Sequence, residues 1–167
     1  MNQLLARETD AIFLLGSQNL YDQKEVYYFK LADDQFMVVV SKKNPLSRQD
    51  RIRISDLKDE KIIMPSPDSS IRKRIDQLFL SAGITPHIIC ESSQSDTSTQ
   101  LAAGNFGISF SSSSIAAYLD DGRYRAIPLE PLVTRPIYFA VLKRTMEYPP
   151  IQALVRYFEE IAKDSSS

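Results

Sequence analysis

The 167-residue chain has no tryptophan, one cysteine, one histidine and only five glycines, and each shortage removes a class of function. Cys90 alone cannot build an internal disulfide framework, and a cytoplasmic setting is the expectation. A His/Cys metal centre would need more ligands than His87 and Cys90 supply, so no metal site is expected. There is no GxSxG elbow, no paired-histidine motif and no Gly-rich phosphate loop, so the GNFG turn at residues 104–107 reads as a helix stop. No acid, base or nucleophile cluster stands out; the expected protein is not an enzyme, has no catalytic residue and uses no cofactor. Long apolar runs are missing too, which argues against a membrane span and a secretory leader. Twenty basic and 21 acidic residues leave a net charge of −1, so the chain has no basic field for nucleic acid.

What is present is an ordinary globular composition, 43% hydrophobic and 25% charged, with a recurring pattern inside it. Residues 61–79 (KIIMPSPDSSIRKRIDQLF) set that pattern: a short apolar strand stops at Pro65, and a polar loop with Asp68, Ser69 and Ser70 offers helix caps. Ile71, Ile75, Leu78, Phe79 and Ala82 then keep helical spacing until Gly83. The module recurs as a strand at 86–91, a loop at 92–95 and a helix capped by Asp96, and again as a strand at 108–110, a loop at 111–114 and a helix at 115–119. In the central strands His87 reads as structural, and Cys90 as a buried, inert thiol. Earlier, residues 10–15, 26–31 and 35–41 read as three strands, the last two parted by a turn at Ala32, Asp33 and Asp34. Residues 135–142 form a late strand, and Pro149 and Pro150 open a helix with the apolar stripe Ile151, Leu154, Val155, Phe158, Ile161 and Ala162. This alternation argues for helix-covered parallel sheets, in which ligands bind beyond the carboxyl ends of strands. Serine is also common turn filler, and the basic first turn of the central helix (Arg72, Lys73, Arg74) either points into water or faces an anion.

Four stretches in this order, LLARETDAIF (4–13), FMVVVSKKNPL (36–46), ISDLKDEKIIMP (54–65) and LAAGNFGISFSSSS (101–114), carry a likeness to a known family. The chain from residue 10 to 163 resembles the effector-binding domain of LysR-type bacterial transcriptional regulators. Asn44 stands where the family's HPL-type turn has histidine, and Ser112 where a proline usually closes the strand. The resemblance implies an α/β, two-lobed type 2 periplasmic-binding-protein-like fold. Residues 1–40 and 135–167 would form the first lobe and 41–134 the second, with hinges near Val40 and Thr134. It also implies that the first lobe is incomplete, because the family's winged helix-turn-helix, linker helix and first strand, helix and second strand have no counterpart before Met1.

Functionally, the resemblance implies a sensor that holds a small polar or anionic effector between two lobes to control transcription. The intact regulator would be a homo-oligomer, dimer or tetramer, contacting DNA only through a segment outside this sequence and touching no membrane. The matching effector positions are Ser17 on the first lobe, Ser66, Ser69 and Ser70 in the central loop, and Ser93, Ser111 and Ser112 on the second lobe. Arg72 and Arg74 hint at a carboxylate or phosphate. Two alternatives use the same fold: a cytoplasmic or transport-linked solute-binding protein, and a lyase-type enzyme.

Overall fold

A computed structural model describes residues 2–16 and 24–164. In chain order the elements are α1 (Asn2–Leu5), β1 (Ala11–Leu15), β2 (Val26–Ser41), β3 (Ile52–Arg53), β4 (Lys61–Pro65), α2 (Ser70–Ser81), β5 (His87–Ser92), α3 (Ser95–Ala103), β6 (Ile108–Ser112), α4 (Ser113–Tyr118), β7 (Tyr124–Glu130), β8 (Thr134–Leu142) and α5 (Pro149–Asp164). They fall into two compact units, one made of residues up to Asp34 with those from Thr134, the other of Gln35–Val133. The first division thus falls upstream of the Val40 hinge expected from sequence, inside β2.

The strand β2 corrects one expectation outright: residues 26–41 form a single 16-residue strand, with no turn at residues 32–34. Two acids can stay in an extended run here because each has a cation. Lys30 Nζ lies 2.7 Å from Asp33 Oδ2, and Asp34, only 3% exposed, accepts from Arg135 Nη2 at 2.9 Å and Nε at 3.2 Å. A buried carboxylate is tolerated only with such a partner, and this partner lies 101 residues away in sequence.

In the first unit, β1 pairs antiparallel with β8, from Ala11 opposite Val141 to Leu15 opposite Ile137. The earlier part of β2 lies on the other side of β8. One face of this sheet packs Leu31, Phe139 and Val141 against Val155, Ile151, Phe158 and Ala162 of α5, with the rings of Phe139 and Phe158 4.7 Å apart. The other face buries Leu4, Val26, Ala140 and Leu142, so α1 is held by its leucine. The apolar stripe of α5 is wider than its buried face: Leu154 and Ile161 are 36% and 37% exposed.

In the second unit, the later part of β2 runs antiparallel to β6 on one side and to β7 on the other. Beyond β6 come β4 and then β5, all three parallel, while β3 runs parallel to β7. Period-two alternation splits the strands between two cores. Val38, Val40, Ile62, Met64, Ile108 and Phe110 meet Ile75 and Phe79 of α2 on one face. Val39 and Ile63 meet Ala102 and Ala103 of α3, with Ala116 and Tyr124, on the other. Burying side chains of this size contributes about 1.5–3 kcal/mol each. The GNFG turn works as a helix stop, as expected. Gly104 caps α3 at φ −72°, Asn105 takes the left-handed conformation at φ +64°, and a Cβ on Gly107 would meet the Lys61 carbonyl oxygen at 2.7 Å. Among the described residues no helix is long and apolar enough to cross a membrane.

Candidate functional site

Because β4, β5 and β6 are parallel, their carboxyl ends share one edge of the second unit. The register aligns them residue by residue. Pro65 lies opposite Ser92 between β4 and β5, and Ile63 lies opposite Ser109 between β4 and β6, which carries on to Ser111 at the level of Pro65. One residue further along, Ser66 and Ser93 begin two loops, whereas the third loop expected at residues 111–114 is absent: β6 runs on to Ser112 and α4 starts at Ser113. The loops also touch directly: Ser66 N donates to the Ser92 carbonyl at 3.0 Å, and Ser69 N to the Ser66 carbonyl at 3.0 Å.

The predicted serines differ in what their hydroxyls do. Ser111 is 2% exposed, sits on the α3 face of β6 with Ser109, and its Oγ has no hydrogen-bond partner among the described residues; Ser109 Oγ and Thr99 Oγ1 share that condition. Ser112 is 4% exposed and its Oγ accepts from Ile115 N at 3.3 Å, capping α4. Ser66 and Ser69 are half-buried; Ser69 occupies the N-cap position of α2 without a side-chain capping bond. Ser70 is the first residue of α2, Ser93 is exposed in the β5–α3 loop, and Ser17 lies outside the described residues. Six of the seven positions therefore gather on the loop side of one sheet edge, and Ser111 alone pairs deep burial with an unsatisfied hydroxyl.

The basic first turn of α2 is corrected in part. Arg72 neither points into water nor stands ready for an anion. Its Nη1 donates to Glu91 Oε1 at 2.6 Å and to the Pro65 carbonyl at 2.9 Å, and its Nε donates to Asp76 Oδ1 at 3.0 Å. Burial is the largest influence on its pKa and acts to lower it, but the bonds to Glu91 and Asp76 outweigh it and hold the guanidinium above its ordinary value. Lys73 and Arg74 are exposed. The arginine thus ties the ends of β4 and β5 to the start of α2. Its i,i+4 spacing to Asp76 was visible in the sequence, whereas the bond to Glu91 was not.

Other sequence readings shift as well. Asp96 is the second residue of α3; Gln94 occupies the cap position and its carbonyl accepts from Ser98 Oγ at 3.1 Å. Cys90 is half-buried, because β5 is an edge strand with β4 as its only partner among the described residues, and its Sγ lies 3.7 Å from the Glu91 carbonyl. His87 is exposed at the start of the same strand. Sequence reasoning missed Ser113, whose Oγ accepts from Gln35 N at 3.4 Å and pins the start of α4 to β2.

Comparison with known proteins now gives the class. The LysR substrate binding domain matches residues 1–163, and the chain belongs to that family. An uncharacterised HTH-type transcriptional regulator of Bacillus subtilis, YwbI, is 31% identical over 121 residues, covering 72% of this chain and 40% of its own length. The effector binding domain of QuiR in complex with shikimate is 27% identical with a TM-score of 0.69, over 96% of this chain and 73% of that one. The Synechocystis CcmR regulatory domain in complex with 2-PG shares the fold at 20% identity and a TM-score of 0.81, over 97% of this chain and 77% of that one. The α/β fold expected from the resemblance is therefore the observed one, and the chain spans less than half the length of its regulator relatives.

Proposed function

We propose that this chain is the effector-sensing part of a cytoplasmic LysR-type transcriptional regulator and catalyses no reaction of its own. The effector is a small polar or anionic molecule. Its hydroxyl or carboxylate oxygens are held by Ser66, Ser69 and Ser70 at the start of α2, by Ser93, and by Ser111 and Ser112 at the end of β6. The observation that carries this reading is the row of strand ends at Pro65, Ser92 and Ser111, where a buried hydroxyl lacks a partner among the described residues at an edge continued by two serine-bearing loops and the serine-capped start of α4. A buried hydroxyl left unbonded costs about 1–3 kcal/mol, which a polar ligand reaching it would offset. The relative QuiR is described with shikimate, a hydroxylated carboxylate of the chemistry such an edge suits.

The sensing mechanism is a population shift: the effector binds one conformation of the domain better than another and so biases the oligomer to which the domain belongs. In the intact regulator that oligomer is a dimer or tetramer, and DNA contact comes from a segment outside this sequence. A thermal-shift screen of small anionic metabolites, shikimate included, tests the assignment, since a ligand raises stability by RT ln(1 + [L]/Kd). The expected result is a hit whose shift is lost in Ser66→Ala and Ser111→Ala. A hit that stabilises both variants as much as the wild type would move the site elsewhere.

A further inference from the structure

The first unit carries a concave site, remote in sequence from the serines of the second unit, with a cavity of about 240 Å³ lined by Arg7, Lys24, Glu25, Leu142, Lys143 and Arg144. Four cations and one carboxylate line it, in a chain whose charges otherwise nearly cancel. The fold brings them together from three stretches of sequence. Leu4, fully buried against Val26 and Leu142, anchors α1, and the chain then turns through Arg7 at φ +65°, with Arg7 N donating to the Leu4 carbonyl at 3.1 Å. Lys143 N donates to the Glu25 carbonyl at 2.9 Å, which locks the end of β8 beside the start of β2. Leu142, itself buried, provides the floor.

Among the described residues Arg7, Lys24 and Arg144 form no ion pair within 4.0 Å, although Glu25 lines the same cavity. Like charges gathered in a concavity repel one another and focus a positive potential there. A non-Gly residue held at positive φ is an uncommon arrangement, and here it delivers one of the four cations. We infer that this cavity is an anion site, separate from the serine-loop edge, that takes a small phosphorylated molecule. Phosphate fits better than a single carboxylate for two reasons. Its oxygens point in several directions and can meet cations arriving from three segments, and its double charge offsets more of the repulsion. The cavity is smaller than the roughly 300–1,000 Å³ of drug-sized sites, which restricts the occupant to a phosphate group with a few further atoms.

The test is isothermal titration of the whole 167-residue chain with sodium pyrophosphate at fixed ionic strength, with sodium chloride as control. One-to-one saturable binding is expected, weakening as salt is raised. The double variant R7Q/R144Q should bind about tenfold more weakly, since each guanidinium gives charge-assisted hydrogen bonds. Both substitutions are on exposed side chains, and an unchanged thermal melt checks that the variant is folded. K73Q/R74Q, which removes the exposed cations of α2, should bind as the wild type does. Absence of saturable binding, equal affinity in R7Q/R144Q, or loss of binding in K73Q/R74Q would each overturn the inference. None of these results depends on whether the serine edge binds an effector.

Discussion

Arg72 and Glu91 stand 2.6 Å apart, joining the first turn of α2 to the penultimate residue of β5. The pair is unequal: the arginine side chain is 13% exposed and the glutamate 42%. Solvent screens the Coulomb part, so Glu91→Gln should cost little, within about 1 kcal/mol. Arg72→Ala should cost more, about 1–2 kcal/mol, because it also removes the bond to the Pro65 carbonyl and the packing of the aliphatic stem. Urea unfolding of the two variants checks the order. Equal losses would mean that the ion pair alone stabilises the junction.

The neighbours Ser111 and Ser112 should respond in opposite ways to loss of a hydroxyl. Ser112 Oγ accepts from Ile115 N and caps α4, so Ser112→Ala is expected to lower stability by about 1 kcal/mol. Ser111 Oγ has no partner among the described residues, so Ser111→Ala should leave the melting temperature unchanged or raise it while weakening effector binding. Parallel thermal melts of the two variants measure this, and a Ser111→Ala variant less stable than Ser112→Ala would contradict it.

Tyr27 makes stability sensitive to high pH. Its hydroxyl donates to Glu159 Oε1 at 2.6 Å, and that bond, then burial, then the carboxylate's charge raise its pKa above the ordinary tyrosine value. A group whose folded pKa is raised stabilises the fold below its unfolded value, about 10 for tyrosine, and loses that contribution as pH rises through the folded value. Tyr27→Phe should therefore cost about 0.5–1.5 kcal/mol at neutral pH. The gap between wild type and variant in urea midpoint should close above pH ~10. A gap that stays constant across that range would mean the bond does not form in solution.

The punctuation of the second unit was legible in the sequence because its causes are local. Gly83 at φ +66° and the loop after Pro65 impose their geometry through neighbouring residues alone. The order of strand, serine loop and helix followed for the first two modules, while in the third the strand runs through Ser112 directly into α4. What could not be read were states fixed by distant partners. Arg72 of α2 is engaged by Glu91, which belongs to β5, and Gly107 is required by the Lys61 carbonyl, which belongs to β4. The hydroxyl chemistry was likewise hidden: capping Ser112 and unsatisfied Ser111 are adjacent in sequence and face opposite sides of one strand.

The misread turn at Ala32, Asp33 and Asp34 gives the most demanding prediction. Two consecutive acids usually interrupt a strand, and here the second is 3% exposed in the interior of one. What keeps it there includes the guanidinium of Arg135, 2.9 Å away and itself only 16% exposed. Removing one member of such a pair leaves a charge in a poorly solvated place, at a cost of about 3–5 kcal/mol, whereas replacing both by apolar residues is often neutral. Arg135→Met should therefore destabilise the chain by about 3 kcal/mol or more. Asp34→Leu combined with Arg135→Met should recover most of that loss. The measurement is a double-mutant cycle by urea unfolding, in which contacting charges are expected to couple by at least ~1 kcal/mol. Additive losses would show that the two side chains are stabilised independently, and that something other than Arg135 holds Asp34 inside the strand.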